Sequence, residues 1–160
     1  MDNKVLENIF ERKSTRKYTG TPPTQEQLEI LVKAGMAAPT ARNLQPWGFV
    51  LLTNEDLLQR LEDELPYAKM LTQAGAGMIV CGAPAQSMKG IEDYWVQDCS
   101  AATQNILLAA HAMELGAVWL GIYPRKDRVD GIGELLNIPK HSKSFSNINI
   151  IKWLFSHIKS

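Results

Sequence analysis

The order of elements in this sequence predicts one domain of alternating helices and strands, α/β or α+β, in two or three layers. Three short apolar runs bounded by turn residues have the composition of strands. The segments between them repeat apolar residues at helical spacing. The chain has 160 residues, 45% of them hydrophobic and 21% charged, which suffices for one core. Because no internal repeat, low-complexity tract or linker interrupts it, residues 1–160 are treated as a single domain.

Helices are predicted first in the N-terminal third of the chain. A short amphipathic helix over 4–11 carries the apolar residues Val5, Leu6, Ile9 and Phe10. Thr24 and Gln27 form a capping box that begins a second helix. This helix has to end before Pro39, because the residue that precedes a proline disfavours helical geometry.

Three further helices are predicted in the rest of the chain. Asn54 can cap a helix over 55–65. A long helix over 94–115 is poor in charge from Cys99 to Met113, so we expect it to be central. Its inner face is expected to carry Val96, Cys99, Thr103, Ile106, Ala110 and Met113. A last helix ends near Pro139 and carries Val129, Ile132, Leu135 and Leu136.

Three strands are predicted, over 47–53, 76–81 and 117–123. Each run is short, almost entirely apolar and rich in β-branched or aromatic residues. Such runs are typical of strands that are covered on both faces.

Charge and hydropathy exclude several classes of partner. Lys and Arg number 17 and so do Asp and Glu, and no basic run is present, so we expect no nucleic-acid partner. The most apolar region, 105–123, is interrupted by His111, Glu114 and two glycines and is too polar for a bilayer span. The N-terminus lacks the apolar stretch of a signal peptide, and we therefore expect a cytoplasmic chain without a membrane partner.

Common catalytic and metal-binding motifs are absent. Cys81 and Cys99 form no Cys-x-x-Cys pair, and the three histidines do not bracket them at ligand spacing, so we expect neither a disulfide nor a metal. Cys81 is interpreted as a small core residue rather than a nucleophile, and His111 as a core or interface histidine rather than a base. The Gly-rich phosphate loops, nucleophile elbows and zinc motifs of NTPases and hydrolases are missing.

The first feature that suggests chemistry is a cluster of three cations and two hydroxyls over 12–16, at the end of the first helix. Arg12 and Arg16 offer forked donors, Lys13 a point charge and Ser14 a short hydroxyl donor, a set that can surround a phosphate. Alternatively, the cations interact with the last carbonyls of the helix and are otherwise solvated.

The second feature is a loop over 38–47 between a helix and a strand. Pro39 and Pro46 stiffen it, and Asn43 and Gln45 carry amides that both donate and accept hydrogen bonds. A planar heterocycle with carbonyls and ring nitrogens requires this kind of recognition at its edge. Alternatively, the amides only satisfy backbone groups of a turn.

Five segments in order resemble the nitroreductase family, over about Val5 to Lys140. They are Arg-Lys-Ser-Thr-Arg at 12–16, Ala-Pro-Thr-Ala-Arg-Asn-Leu-Gln-Pro-Trp at 38–47, Asp-Cys-Ser-Ala-Ala-Thr-Gln-Asn at 98–105, Leu-Gly-Ala-Val-Trp-Leu-Gly at 115–121 and Leu-Leu-Asn-Ile-Pro at 135–139.

The resemblance implies an α+β fold with a central, mostly antiparallel sheet surrounded by helices, assembled as an intertwined homodimer. It also implies an FMN-dependent oxidoreductase that takes hydride from NADH or NADPH and reduces nitroaromatics, quinones or similar acceptors. In such proteins the flavin carries the chemistry, so no catalytic side chain is expected. Reduction and reoxidation at one flavin face predict ping-pong kinetics. A non-catalytic FMN-binding or FMN-storing protein of the same fold is the alternative.

The resemblance also implies roles for particular residues of this chain. The FMN phosphate and ribityl chain would be held by Arg12, Lys13, Ser14 and Arg16. The isoalloxazine would be contacted from the partner subunit by Pro39, Thr40, Asn43 and Gln45. The flavin face and its N5 would lie near Leu120 and Gly121.

The sequence departs from the family pattern over 141–160. Ile148, Ile150 and Ile151 are compatible with the family's last strand, but the usual turn and the basic tail that follow it are missing. We therefore expect weaker FMN binding and a less stable dimer, unless Lys152, His157 or Lys159 substitutes for the tail.

Overall fold

The computed structural model describes residues 3–65, 68–87, 89–90, 93–138 and, for the backbone, 149–157. Within these ranges the helices are α1 (Lys4–Glu11), α2 (Gln25–Met36), α3 (Glu55–Glu64), α4 (Leu71–Ala74), α5 (Tyr94–Ala112) and α6 (Lys126–Leu135). The strands are β1 (Trp47–Leu52), β2 (Ala76–Gly82), β3 (Leu115–Gly121) and β4 (Asn149–His157). The α+β fold class predicted from the sequence is confirmed.

The strands form one antiparallel sheet in the order β1-β2-β4-β3. The last strand of the chain thus lies between β2 and β3, and β1 and β3 are the outer strands. Trp47 pairs with Gly82 and Gly82 with Asn149, while Gly121 pairs with Ile151 two residues further along β4. The start of β1 and the end of β3 therefore lie at the same end of the sheet.

Helices cover both faces of the sheet, which gives three layers. Side chains alternate along β2: Met78 and Val80 belong to the core under α2 and α5, and Ile79 and Cys81 belong to the core on the opposite face, with α3, α4 and α6. Every residue of β2 is buried, as the sequence predicted.

Capping side chains fix where several helices begin. The predicted capping box is present, with the Gln27 N–H donating to Thr24 Oγ1 and the Thr24 N–H donating to Gln27 Oε1. Asn54 accepts from the Leu57 N–H at the start of α3, as predicted. Asn3 likewise caps α1, which has the predicted bounds.

Several boundaries and faces differ from the sequence predictions. The long helix ends at Ala112 rather than near residue 115, because Glu114 adopts a φ of 60° that cannot continue a helix, and β3 begins two residues earlier than predicted. The predicted inner face of the long helix included Val96 and Met113, but Val96 and the C-cap Met113 are half-buried. Trp95 and Asp98, which were not predicted on that face, are buried.

Two of the predicted covered strands are covered in part. The middle of β1 is half-buried, and at the end of β3 Trp119 and Gly121 are exposed while Leu120 is half-buried. Ile148 and the predicted stop at Pro139 lie outside the described residues. The short helix α4 was not predicted, since four residues are too few to show helical spacing.

Helix α1 lies on the outside of this chain. It has no buried residue, and Val5 and Phe10 are 67% and 77% exposed. One described anchor to the body is the Asn8 Nδ2 donating to the Leu108 carbonyl at 3.0 Å. Its predicted apolar face is therefore available for contacts beyond this chain. No helix in the described ranges has the length and apolarity to cross a membrane.

Gly82 allows the end of β2 to contact the indole of Trp95. A methyl group at this position would overlap the Trp95 ring, which is itself buried. We expect Gly82→Ala to lower the free energy of unfolding by about 1–3 kcal/mol, the cost of overpacking. Gly131→Ala is the matched control, because Gly131 is exposed in α6 with open space around it, and it should be neutral or stabilising. Urea denaturation of both variants measures this, and equal stabilities would contradict the prediction.

The two cysteines are predicted to be unreactive in the native protein. Burial raises the pKa of the Cys81 and Cys99 thiols to about 12, so at pH 8 almost no thiolate forms. Both side chains lie in the core, as interpreted from the sequence for Cys81. We expect a thiol reagent at pH 8 to label neither cysteine until urea unfolds the protein, and then to label both. Labelling of the native protein at the rate of the unfolded chain would contradict this.

Candidate functional site

The cationic cluster of residues 12–16 lies along the outer edge of β3. Ser14 forms a parallel bridge with Ala117, and the Thr15 N–H donates to the Ala117 carbonyl at 2.9 Å. Because the bridge is parallel, the chain from Ser14 to Arg16 runs in the same direction as β3, towards Leu120 and Gly121. The structure therefore brings the predicted phosphate-binding segment and the predicted flavin-face residues to one edge of the sheet.

Arg12 is half-buried, and one atom of its guanidinium group is withdrawn from water. Its Nη1 is buried and makes no hydrogen bond within the described part of the chain, while Lys13, Ser14 and Arg16 are exposed. A buried guanidinium nitrogen without an acceptor is costly, and an anion would relieve that cost. The alternative of cations bonded to the last carbonyls of α1 has no described hydrogen bond to support it. An FMN phosphate therefore fits the residues that are present.

Tyr18 holds the turn that follows the cluster. Its hydroxyl donates to the Thr15 carbonyl at 2.6 Å, and its ring is buried in the core of the α3 side. Burial raises the pKa of this hydroxyl above its ordinary value, an effect that the charge of Arg16 partly offsets. Tyr18 therefore stays a neutral donor and fixes the backbone between Ser14 and Arg16.

The loop over 39–46 has a fixed and unusual backbone. Arg42, Asn43 and Gln45 have φ values of 53°, 56° and 51°, in the left-handed region that L-residues seldom occupy. Three hydrogen bonds within the loop support it: the Gln45 N–H donates to Thr40 Oγ1 at 3.1 Å, the Asn43 N–H to the Thr40 carbonyl at 3.1 Å and the Leu44 N–H to the Ala41 carbonyl at 3.2 Å. The Trp47 N–H also donates to the Gln45 carbonyl at 2.8 Å. The loop joins the sheet where the Ala83 N–H donates to the Pro46 carbonyl at 2.8 Å.

The amides that the sequence singled out lie together at the tip of this loop. Gln45 Nε2 donates to Asn43 Oδ1 at 3.2 Å, and both side chains are exposed. Pro39 is exposed as well, and the Thr40 hydroxyl accepts from the loop itself. Asn43 and Gln45 thus present a joined pair of amides, with free donor and acceptor positions for the edge of a planar ring.

Asp98 supports this loop and was missed as a functional residue in the sequence. It is 5% exposed on α5, and its Oδ1 accepts from the Ala41 N–H at 3.0 Å. Its Oδ2 is buried and accepts no hydrogen bond in the described ranges. The signal in the sequence was a single carboxylate immediately before the long uncharged stretch of the central helix.

The exposed end of β3 borders a small cavity. Its volume is about 190 Å³, and it is lined by residues 119–122 together with Leu65, Ala68 and Arg128. Arg128 Nη1 donates to the Gly121 carbonyl at 3.4 Å. The predicted residues Leu120 and Gly121 thus face an apolar space with one cation near it. Among the described residues, no group of histidines, cysteines and carboxylates could hold a metal.

The two halves of the predicted site lie on opposite edges of the sheet within one chain. The cationic cluster follows β3, whereas the loop over 39–46 enters β1, three strand spacings away in the sheet order. At about 4.8 Å per spacing, the two edges are separated by roughly 14 Å. The structure does not bring Arg12 and Gln45 into contact within one chain.

A model of the Nitroreductase family matches residues 9–66 and 62–148 of this chain. A protein of Archaeoglobus fulgidus, provisionally named NADH dehydrogenase/NAD(P)H nitroreductase, is 42% identical over 145 residues, which cover 91% of this chain and 83% of that protein. A protein of Methanothermobacter thermautotrophicus with the same provisional name is 44% identical over 144 residues, 90% of this chain and 74% of that protein.

Two crystal structures show the same fold. One, from Bacteroides thetaiotaomicron and with the same provisional name, has a TM-score of 0.89 at 41% identity and covers 100% of this chain and 89% of its own. The other is a provisionally named nitroreductase in complex with FMN from Desulfovibrio desulfuricans, with a TM-score of 0.81 at 28% identity and coverage of 100% and 89%. The chain therefore belongs to the nitroreductase family of oxidoreductases.

Proposed function

We propose that this chain is an FMN-dependent oxidoreductase that takes hydride from NADH or NADPH and reduces nitroaromatic, quinone or similar acceptors. When bound, FMN supplies the two-electron chemistry, which explains why no catalytic side chain is required. The observation that carries the proposal is the buried Arg12 Nη1, which makes no hydrogen bond in the described part of the chain and lies beside the start of β3. It is supported by the names of relatives that include an NADPH-flavin oxidoreductase of Vibrio harveyi, 27% identical over 150 residues.

The phosphate and ribityl chain of FMN would lie along the outer edge of β3. Arg12 donates to the phosphate from a buried position, while the exposed Lys13, Ser14 and Arg16 complete its surroundings. The flavin ring would then extend along β3 towards Leu120 and Gly121. The nicotinamide and the acceptor would then stack in turn on the same flavin face beside this cavity, and ping-pong kinetics follow because both substrates need the same space.

The binding site around the flavin ring would be completed by a second copy of the chain. Pro39, Thr40, Asn43 and Gln45 lie on the opposite edge of the sheet from Arg12, so they serve the site of a partner subunit in a homodimer. The exposed apolar face of α1 supports the same assembly, because a helix without a buried residue is marginal alone.

Visible spectroscopy of the purified protein tests the proposed function. Flavin absorption that bleaches on anaerobic addition of NADH or NADPH, and returns with a quinone or nitroaromatic, is the expected result. A flavin that never bleaches with either nucleotide would instead favour the FMN-binding alternative. A protein that cannot bind added FMN would refute both.

Arg12→Ala should weaken FMN binding. Loss of a charged hydrogen bond to the phosphate is expected to cost about 1.5–3 kcal/mol, or roughly 10–150-fold in Kd. Arg60→Ala, at an exposed position of α3, is the matched control and should leave Kd unchanged. The quenching of FMN fluorescence gives both values. Equal Kd values for the two folded variants would remove Arg12 from the site.

Mixed dimers test the shared site. In a heterodimer of one Arg12→Ala subunit and one Gln45→Ala subunit, a shared arrangement places both defects in one site and leaves the other intact. We therefore expect one tight FMN site per heterodimer and none in either homodimer. If each site were built from a single chain, the heterodimer would show two weakened sites and no tight one.

A further inference from the structure

The loop that presents Asn43 and Gln45 depends on a residue outside it. Three non-glycine residues with positive φ persist only where neighbouring groups over-determine the backbone. Within the loop, the Thr40 hydroxyl binds the Gln45 N–H, which closes the C-terminal part of the turn. The N-terminal part is a single turn, in which the Thr40 and Ala41 carbonyls accept from the Asn43 and Leu44 N–H groups. This turn is joined to α5 where Asp98 Oδ1 accepts from the Ala41 N–H.

The position of Asp98 makes it suited to this task. It lies between the buried Trp95 and Ala102 on the 19-residue central helix, so its own backbone is rigid. Its carboxylate is almost completely withdrawn from water, yet in the described ranges one of its two oxygens is without a partner. Burying a carboxylate in the core costs free energy unless hydrogen bonds compensate the loss of water. The hydrogen bond to the Ala41 N–H is the described contact that compensates Asp98.

We infer that Asp98 is a positioning residue for the flavin, which fixes the 39–46 loop in the left-handed conformation that aims Asn43 and Gln45 at the ring. This inference rests on the proposed function. In the homodimer, the carboxylate of one subunit would act on the flavin whose phosphate is held by the other.

Three variants and a control separate positioning from general core damage. Asp98→Asn keeps an oxygen for the Ala41 N–H, whereas Asp98→Leu and Asp98→Ala remove it. Either replacement should be tolerated, because it also removes a poorly satisfied buried carboxylate and Ala41 is half-buried, within reach of water. Thr103→Val is the control: Thr103 is fully buried on the same helix, and its hydroxyl also lacks a described partner.

Two measurements are made on the full-length protein. Amide hydrogen exchange at Ala41 without FMN reports on the loop alone, and FMN titration reports Kd and the visible spectrum of the bound flavin. We expect Asp98→Leu, or Asp98→Ala if the Leu variant does not fold, to lose protection at Ala41, raise Kd at least tenfold and shift the flavin spectrum. The Kd of Asp98→Asn should stay within about threefold of the wild-type value, and the Kd of Thr103→Val should equal the wild-type value.

Several results would overturn the inference. Wild-type FMN affinity and spectrum in a folded Asp98→Leu or Asp98→Ala protein would show that the loop does not need the carboxylate. An equal loss in Thr103→Val would show that any core defect on α5 weakens binding. If the wild-type protein binds no FMN, the proposed function fails and this inference with it, while exchange at Ala41 still reports whether Asp98 holds the loop.

Discussion

The insertion of β4 between β2 and β3 is the constraint on which the rest of the structure depends. Its backbone pairs with Ala76–Gly82 on one side and with Leu115–Gly121 on the other. Without it, β2 and β3 would present two open strand edges, and β3 would have no fixed place. The cationic cluster is attached to β3 through Ser14, and the loop over 39–46, here called the amide loop, leads directly into β1. The two pairings of β4 therefore set the separation between the two halves of the proposed flavin site.

The proposed binding of an anion beside β3 would depend on local desolvation rather than on overall charge. The chain is neutral, so no long-range field concentrates phosphate near it. Arg12, however, has lost its water at Nη1 without gaining an acceptor. Part of the cost of removing this group from water has thus already been met in folding, and a phosphate that reached Nη1 would recover it. Lys13 and Arg16 remain hydrated and contribute less per contact.

Much of this fold could be predicted from the sequence, because apolar spacing, capping residues and composition indicate the same helices and strands that the structure contains. The bounds of α1, the capping box of Thr24 and Gln27 and the buried strand β2 follow from spacing and composition alone. The start of β3 could not be predicted, because it depends on the left-handed backbone of Glu114, a residue with no special preference for it. Spacing also cannot show that Arg12 is half-buried while Lys13 is exposed, since burial depends on how α1 packs against the body.

The difference between the two halves of the site is one of preorganisation. Each left-handed residue of the amide loop costs of order 1–3 kcal/mol, and folding sustains that cost through the contacts of Thr40, Pro46 and Asp98. Because the loop is already ordered, binding of a ring requires little further loss of entropy. The cationic half is held by one bridge and by Tyr18, and most of its side chains are exposed. In the proposed site, the loop would therefore set the orientation of the flavin ring, whereas the cluster beside β3 would mainly supply affinity.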